Sequence, residues 1–414
     1  MIFTETDFLN LFNLQSITYE QFCERICVLD VMDRSGAFVV RDSLDGFVNR
    51  VCRKDDDTRK KNLEQYKRNL YRILVTDAQQ TLCLWFQKYG ALQENIEHYL
   101  HLPNAEILSD DIFSGRSNSK YGRICKNINF ENFYNTKKLR STDSEYTFGL
   151  MRVMFADFKI RNSLAGPAFF EHICNYNGDS TQFWYGFMLG ANRASIFNPV
   201  TYKGILDSVF SGEVLFAPVM GWNAYQIAFY SSQFKKFIST DVIPKVVDNG
   251  ILIHHEFEKY CTRNPLSVFD KTVDLYLCPS EQLDKRYNFL EKYRNTIDAI
   301  LFSPPYFDLE LYPSSEQSIE NFPDYQTWLI KYWEETIKLC VGVMKPDAKF
   351  GFIISNYVNK DYEKVNISED MRDIVAKHLT FDKHYRVQWS AIKGKRQAKK
   401  TRDGNFEDLW VFKK

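Results

Sequence analysis

The sequence predicts an α/β protein with a doubly wound sheet in its carboxy-terminal half and a mainly helical amino-terminal part. From about residue 192, short apolar segments alternate with segments of helical spacing, which is typical of a parallel sheet with helical crossovers. Residues 1 to about 110 instead repeat apolar side chains every three or four positions. We therefore expect a mainly helical domain at residues 1–190 and an α/β domain at residues 191–414.

Individual elements follow from the same patterns. Strands are predicted where apolar residues run together over a short stretch, at residues 213–216, 236–240, 273–277, 297–302, 350–355 and 409–412. Helices are predicted at residues 55–74, 81–100, 223–231 and 325–343.

Composition is that of an ordinary globular protein, with 44% hydrophobic and 26% charged residues in 414. No apolar run is as long as a membrane span, and residues 1–7 lack a basic segment before an apolar stretch. We expect a cytoplasmic protein without a membrane partner. The nine cysteines form no C-x-x-C pair and do not cluster with histidines at zinc spacing, so we expect reduced thiols and no metal.

Formal net charge is zero, which excludes a uniformly basic nucleic-acid binder but not a protein with segregated charge. The densest basic run lies at residues 393–402. We predict that it contacts phosphates, the alternative being ordinary solvated surface. Its members are Lys393, Lys395, Arg396, Lys399, Lys400 and Arg402.

The most informative motif is Ser303-Pro304-Pro305-Tyr306, directly after the predicted strand at 297–302. Two prolines forbid continuation of either strand or helix, so the backbone turns rigidly at the edge of the sheet. The Ser303 hydroxyl and the Pro304 carbonyl can accept the hydrogens of a planar amine, and Tyr306 offers a face to a flipped base. The alternative is a turn that only ends the strand.

Polar or turn-forming residues also follow the other predicted strands. Gly221 stands in the turn after the first strand, and Asp241 ends the second. Glycine lets a ligand approach the backbone near a helix N-terminus, and an acid about twenty residues later can hold a ribose. Ser280 and Glu281 follow the third strand and suit an adenine ring. Helix capping is the alternative for these polar residues.

Taken in chain order, these segments resemble the S-adenosylmethionine-dependent amino-methyltransferases of DNA, whose catalytic motif is Asp, Asn or Ser followed by Pro-Pro and an aromatic residue. The likeness covers about residues 190–414 and is strongest at 297–357. It implies a Rossmann-like methyltransferase sheet, S-adenosyl-L-methionine as cofactor and double-stranded DNA with a flipped base as partner. The segments that carry it are residues 193–199, 221–222, 240–241, 303–310, 325–347 and 408–413.

The resemblance also implies roles. Ser303, Pro304, Pro305 and Tyr306 form the catalytic turn, and the serine favours cytosine N4 over adenine N6. The implied cofactor-binding residues are Phe216, Ala217, Pro218, Gly221, Asp241, Ser280, Glu281, Asn198 and Lys203.

The chain departs from the family pattern after the first strand. The position of the family's acid is held by Ala217, and that of its second glycine by Asn223. Either Asp207, Glu213 or another residue replaces the acid, or the cofactor binds weakly. Ala217 makes a catalytically degenerate DNA-binding or assembly subunit one alternative. Because the same turn would grip any planar amine, a methyltransferase of RNA or of a protein amide is another. Residues 1–190 are assigned to target recognition or to assembly, including a homodimer.

Overall fold

The computed structural model describes the carboxy-terminal sheet almost completely and the amino-terminal part in pieces. The described residues are 96–115, 196–264, 269–312, 314–359, 363–388 and 406–414, with shorter pieces at 18–20, 23, 31–32, 38–39, 55–72, 92, 121, 123–129, 137–138, 171 and 173–177.

The chain divides into two compact units. One comprises residues 1–2, 90–136 and 195–414, and the other comprises residues 3–89 and 137–194. The predicted boundary near residue 190 stays a prediction, although residues 90–136 fall in the same unit as the carboxy-terminal sheet.

A nine-stranded sheet forms the centre of the first unit. Its strands, numbered along the chain, are β1 (Ile107–Ser109), β2 (Ile112–Ser114), β3 (Val214–Ala217), β4 (Lys236–Asp241), β5 (Thr272–Leu277), β6 (Ile297–Phe302), β7 (Met344–Ile354), β8 (Thr380–Gln388) and β9 (Phe406–Lys413). They lie in the order β1-β2-β8-β9-β7-β6-β3-β4-β5.

Strands β3 to β7 run parallel to one another, whereas β9 runs antiparallel to both of its neighbours, β7 and β8. Successive strands from β3 proceed outward to β5, and the chain then returns to β6 and proceeds the other way to β7. This reversal between β3 and β6 is the topological switch point at which doubly wound sheets bind ligands. The predicted α/β class with a doubly wound sheet is therefore confirmed.

Helices connect the strands of the sheet. They span Ile96–Leu100, Arg123–Ile128, Pro199–Val209, Ala224–Tyr230, Pro244–Arg263, Leu283–Tyr287, Phe289–Tyr293, Ser318–Asn321, Tyr325–Trp328, Glu335–Val343 and Ile367–Val375. The predicted helix at 325–343 contains a π-helical stretch, Leu329–Glu334. Of the predicted helix at 81–100, residues 96–100 are described as helix.

All six predicted strands are present, but β8 was missed. Its sequence alternates charged and aromatic residues and carries few aliphatic ones, because much of it is only half buried. The strands β1 and β2 were also missed, since each has only three residues. Two-residue strands occur at Glu310–Leu311, Tyr357–Val358 and Lys364–Val365.

Asp298 ties together the strand ends opposite the switch-point edge. Its carboxylate accepts the backbone N–H groups of Glu213 and Val214, at 3.0 and 2.9 Å, and pairs with Lys345 Nζ at 2.6 Å. One side chain on β6 thus holds the starts of β3 and β7. The three strands at the centre of the sheet are aligned from their amino-terminal ends.

The second unit contains the helix Asp56–Tyr71, which the sequence predicted. Asp55 caps it through a 2.8 Å bond from the Thr58 N–H, and Tyr66 is fully buried. Asn69 Nδ2 donates to the carbonyls of Ile173 and Cys174. Two-residue strands lie at Val31–Met32, Phe38–Val39 and Lys137–Lys138.

No helix in the described part of the chain is both long and apolar enough to cross a membrane.

Candidate active site at the switch point

A cavity of about 360 Å³ opens at the carboxyl ends of β3, β4, β5 and β6. That volume lies in the range of small-molecule sites. Nine of the thirteen residues predicted to be catalytic or cofactor-binding line it together: Pro218, Gly221, Asp241, Ser280, Glu281, Ser303, Pro304, Pro305 and Tyr306.

The Ser303 turn is supported from beneath by two stacked tyrosines. The Ser303 backbone N–H donates to the Tyr225 hydroxyl at 3.0 Å. The Tyr225 ring stacks on Tyr202 with ring centroids 4.4 Å apart, and the Tyr202 hydroxyl donates to the Leu301 carbonyl at 2.5 Å. Because both tyrosines are buried, the backbone before the two prolines is held on a rigid base.

Tyr306 is held by its hydroxyl, and its ring packs edge-on against Tyr357 with centroids 6.0 Å apart. The Ser355 N–H donates to that oxygen at 3.0 Å, and the hydroxyl in turn lies 3.3 Å from Glu407 Oε1. Burial and the neighbouring Glu407 raise the pKa of Tyr306 well above its usual range, so the phenol stays protonated. A ring fixed in this way presents a constant surface to the cavity.

The turn after β3 is a left-handed one. Gly221, Trp222 and Asn223 have φ values of 52°, 57° and 64°. A Cβ on Gly221 would lie 2.4 Å from the Tyr225 ring, so glycine is required there by both conformation and space. Asparagine tolerates this left-handed region, and the side chain of Asn223 is also hydrogen-bonded. That side chain accepts from Asn129 Nδ2 at 2.9 Å and donates to the Val246 carbonyl at 3.1 Å.

Asp241 brings a carboxylate to the cavity from the end of β4. Its Oδ1 accepts the N–H of Ile243 at 3.0 Å, which fixes the turn before the helix Pro244–Arg263. Burial raises the pKa of Asp241 to about 6.

Ser280 and Glu281 come from the short 3₁₀ turn after β5 and differ in their partners. The Ser280 hydroxyl is hydrogen-bonded to the Thr336 hydroxyl at 3.0 Å. Both carboxylate oxygens of Glu281 are buried, and neither has a hydrogen-bond partner among the described residues. Burial raises the pKa of Glu281 to about 7.

Four predicted cofactor residues are not among those that line the cavity. Phe216 and Ala217 lie in β3 and are fully buried, so they support the wall from behind. Asn198 caps the helix Pro199–Val209 through a 3.0 Å bond from the Val200 N–H, and Lys203 pairs with Asp207 at 2.7 Å. These two residues therefore have structural partners, and their assignment to the cofactor stays a prediction.

The acids that could compensate for Ala217 lie in different places. Asp207 is engaged by Lys203, and Glu213 pairs with Lys235 at the opposite end of β3. Neither lines the cavity, whereas Asp241 and Glu281 do.

Several further residues line the cavity without having been predicted as site residues. They are Trp222, Tyr225, Cys278, Glu310, Tyr312, Glu316, Tyr332 and Glu407, among others. Trp222, Glu310 and Tyr332 lie within segments that resemble the family, but the resemblance gave them no role.

Cys278 brings a thiol to the cavity. Its thiol lines the cavity and contacts the Pro279 carbonyl at 3.2 Å. Burial raises the pKa of this thiol to about 12, so it is not a thiolate nucleophile at neutral pH. The predicted basic run, from Lys393 to Arg402, lies outside the described residues.

No protein-family model matches this chain. No curated protein sequence matches it either. Among solved structures, the N-methyltransferase NodS of Bradyrhizobium japonicum WM9, in complex with S-adenosyl-L-homocysteine, is 12% identical with a TM-score of 0.30. That match covers 50% of this chain and 80% of NodS.

Two further solved structures show a comparable likeness. A putative SAM-dependent methyltransferase of Streptococcus mutans is 11% identical with a TM-score of 0.35, and the match covers 54% of this chain and 51% of that one. TrmN of Thermus thermophilus is 11% identical with a TM-score of 0.31, and the match covers 52% and 48%. At such identities and scores, these likenesses assign no activity to this chain.

Proposed function

We propose that this protein is an S-adenosyl-L-methionine-dependent methyltransferase of DNA that acts on the exocyclic amino group of a flipped base, with cytosine N4 favoured over adenine N6. One observation carries the proposal. The Ser303-Pro304-Pro305-Tyr306 turn lines the same switch-point cavity as the Gly221 turn, Asp241 and Glu281. The turn that would hold the target amine therefore lines the same cavity as the residues that would hold a nucleoside.

The residues of the cavity fit the methyl donor. The left-handed turn at Gly221 lets a ligand lie against the backbone where a Cβ would fill the space. Asp241 suits the ribose hydroxyls, and Glu281 offers two buried oxygens without a described partner to an amino group or a positive charge. The donor, when bound, supplies an electrophilic methyl group.

The Ser303 turn would prepare the acceptor. The Ser303 hydroxyl and the Pro304 carbonyl accept the two amine hydrogens, which draws the nitrogen lone pair out of conjugation with the ring. Tyr306 stacks on the base. A bound donor would supply its methyl group to this nitrogen, and the proton that the amine loses would pass to solvent. No covalent bond between enzyme and base is needed, in keeping with the raised pKa of Cys278.

The proposal is tested by nucleoside mass spectrometry of DNA from cells that express the protein. We expect N4-methylcytosine with the wild-type chain and its loss with Ser303→Ala, while Ser211→Ala, at an exposed site, retains activity. Absence of both N4-methylcytosine and N6-methyladenine, with folded protein that binds the donor, would contradict a DNA substrate. Labelled donor offered to separate DNA, RNA and protein fractions then identifies the acceptor.

A catalytically degenerate subunit is the second candidate, and Ala217 is the observation that favours it. Calorimetry with the methyl donor separates the two. Binding that is lost in Asp241→Asn but kept in the exposed control Asp270→Asn supports the enzyme. No binding to the wild-type chain supports the degenerate subunit.

A further inference from the structure

The side chains that line the cavity are predominantly acidic, which the Ser303-Pro304-Pro305-Tyr306 turn does not explain. Five carboxylates line it, whereas its described lining contains no lysine, arginine or histidine. Glu316 is neutralised by Arg286, whose two terminal nitrogens lie 2.6 and 3.2 Å from its oxygens. The other four are Asp241, Glu281, Glu310 and Glu407.

Three of these four carboxylates have a hydrogen-bond donor among the described residues. Asp241 accepts a backbone N–H, the Tyr312 hydroxyl donates to Glu310 at 2.9 Å, and the Tyr306 hydroxyl lies 3.3 Å from Glu407. Glu281 differs, because both of its oxygens are buried without a partner in the described part of the chain.

The Tyr332 hydroxyl is a second buried polar group without a hydrogen-bond partner among the described residues. Its side chain lies in the π-helical stretch, is 3% exposed and lines the cavity. Its hydroxyl is buried and makes no hydrogen bond to a described residue. Because an unsatisfied buried polar atom is costly, a carboxylate and a hydroxyl left in this way in one cavity indicate a ligand that satisfies them.

The groups around Glu281 favour a cation rather than an anion as that ligand. The titratable or charged side chains that act on it are Arg286 from the following helix, Glu316, Cys278 and Tyr332. Arg286 is already bound by Glu316. A phosphate group would therefore meet several carboxylates and no free cation among the described lining residues, which is unfavourable.

We propose that this cavity selects its ligand by positive charge, with Glu281 and Tyr332 as contacting residues, so that the sulfonium donor binds more tightly than its neutral thioether product. The inference rests on the proposed function and deepens it. Loss of the methyl group removes one positive charge from the ligand, so the carboxylates favour release of the product. The same charge excludes nucleotides that carry phosphate at this position.

Calorimetry on the full chain tests this with three probes: S-adenosylmethionine, S-adenosylhomocysteine and sinefungin, which carries an amine in place of the sulfonium. We expect the two cations to bind roughly tenfold or more tightly than the thioether. The preference should fall sharply in Glu281→Gln and persist in Glu291→Gln, a control at an exposed position. Tyr332→Phe should weaken all three probes.

The number of protons released when a probe binds gives a second measurement, which does not require methyl transfer. A bound cation lowers the pKa of Glu281, so the cationic probes should release protons near neutral pH, measured as a dependence of binding enthalpy on buffer. Equal affinity for donor and thioether, or a preference unchanged in a folded Glu281→Gln protein, would overturn the inference while leaving the methyltransferase proposal standing. Failure of all three probes to bind would overturn both.

Discussion

Tyr225 links the two halves of the candidate site through one side chain. Its hydroxyl accepts the Ser303 N–H, and its ring lies where a Cβ on Gly221 would otherwise project. It also stacks on Tyr202, which holds the Leu301 carbonyl. The base-gripping turn and the turn after β3 are thus positioned by the same residue, although Tyr225 belongs to neither motif.

The first prediction follows from that hydrogen bond. Tyr225→Phe leaves the Ser303 N–H without its acceptor, so we expect the free energy of unfolding to fall by about 1–3 kcal/mol and methyl transfer to slow. Urea denaturation measures the first and a turnover assay the second. Tyr287→Phe is the control, since that side chain is 42% exposed. Unchanged stability and turnover in Tyr225→Phe would show that the bond has no supporting role.

A pH dependence of stability is expected from Glu281. Burial raises the pKa of this carboxyl from 4.5 to about 7, so the folded state keeps a proton that the unfolded state has already lost. Its contribution to stability is therefore complete below the unfolded value and is lost as the pH rises through about 7.

Denaturation of unliganded protein across this range tests the expectation. The stability of the wild-type chain should fall relative to Glu281→Gln from about pH 5 to pH 8. Parallel curves for the two proteins would contradict a raised pKa.

Strand β9 and the left-handed turn after β3 both bring residues to the cavity, although neither has the usual geometry of a parallel β-α unit. β9 is antiparallel, so its beginning, not its end, lies at the edge where the parallel strands terminate. Glu407, its second residue, reaches Tyr306 for this reason. The three left-handed residues after β3 turn the chain so that Gly221 and Trp222 face the cavity and Asn223 faces a buried amide network.

The left-handed turn gives the third prediction. Gly221→Ala combines an unfavourable backbone conformation with a Cβ 2.4 Å from the Tyr225 ring, so we expect a loss of about 2 kcal/mol or more in unfolding free energy, with weaker donor binding. Asn288→Ala is the matched control, because Asn288 has a φ of 49° at an exposed site. Chemical denaturation should show the larger loss at Gly221, and equal losses would exclude a clash with Tyr225.

At the scale of the whole molecule, the site depends on strand order. Gly221, Asp241, Ser280 and Ser303 come from four strands separated by up to 82 residues, and they meet because the order reverses between β3 and β6. The acidic cavity would hold a base and a donor but repel phosphate, so contacts to a DNA backbone must come from elsewhere in the chain.

The basic run is our candidate for those contacts. Replacing Lys393, Lys395, Arg396, Lys399, Lys400 and Arg402 by glutamine should weaken DNA binding and flatten its dependence on salt, by roughly 0.9 log unit of slope for each phosphate that is no longer neutralised. Donor binding should not change. Titrations at several salt concentrations measure this, with Arg59, Lys60 and Lys61 replaced by glutamine as the control. An unchanged slope would assign the run to solvated surface.

The sequence alone determined the α/β class, six of the nine sheet strands and the turn at Ser303, because burial imposes apolar runs and proline imposes a stop. It also indicated which strand ends carry polar groups. Its assignment of Asn198 and Lys203 to the cofactor stays a prediction, because local pattern does not distinguish a capping asparagine or a paired lysine from a ligand contact. Only the tertiary structure decided that Tyr332 and Glu407 line the cavity, that Tyr225 supports Ser303 and that Asn223 suits a left-handed turn. These depend on contacts between residues far apart in the chain, which local pattern does not encode.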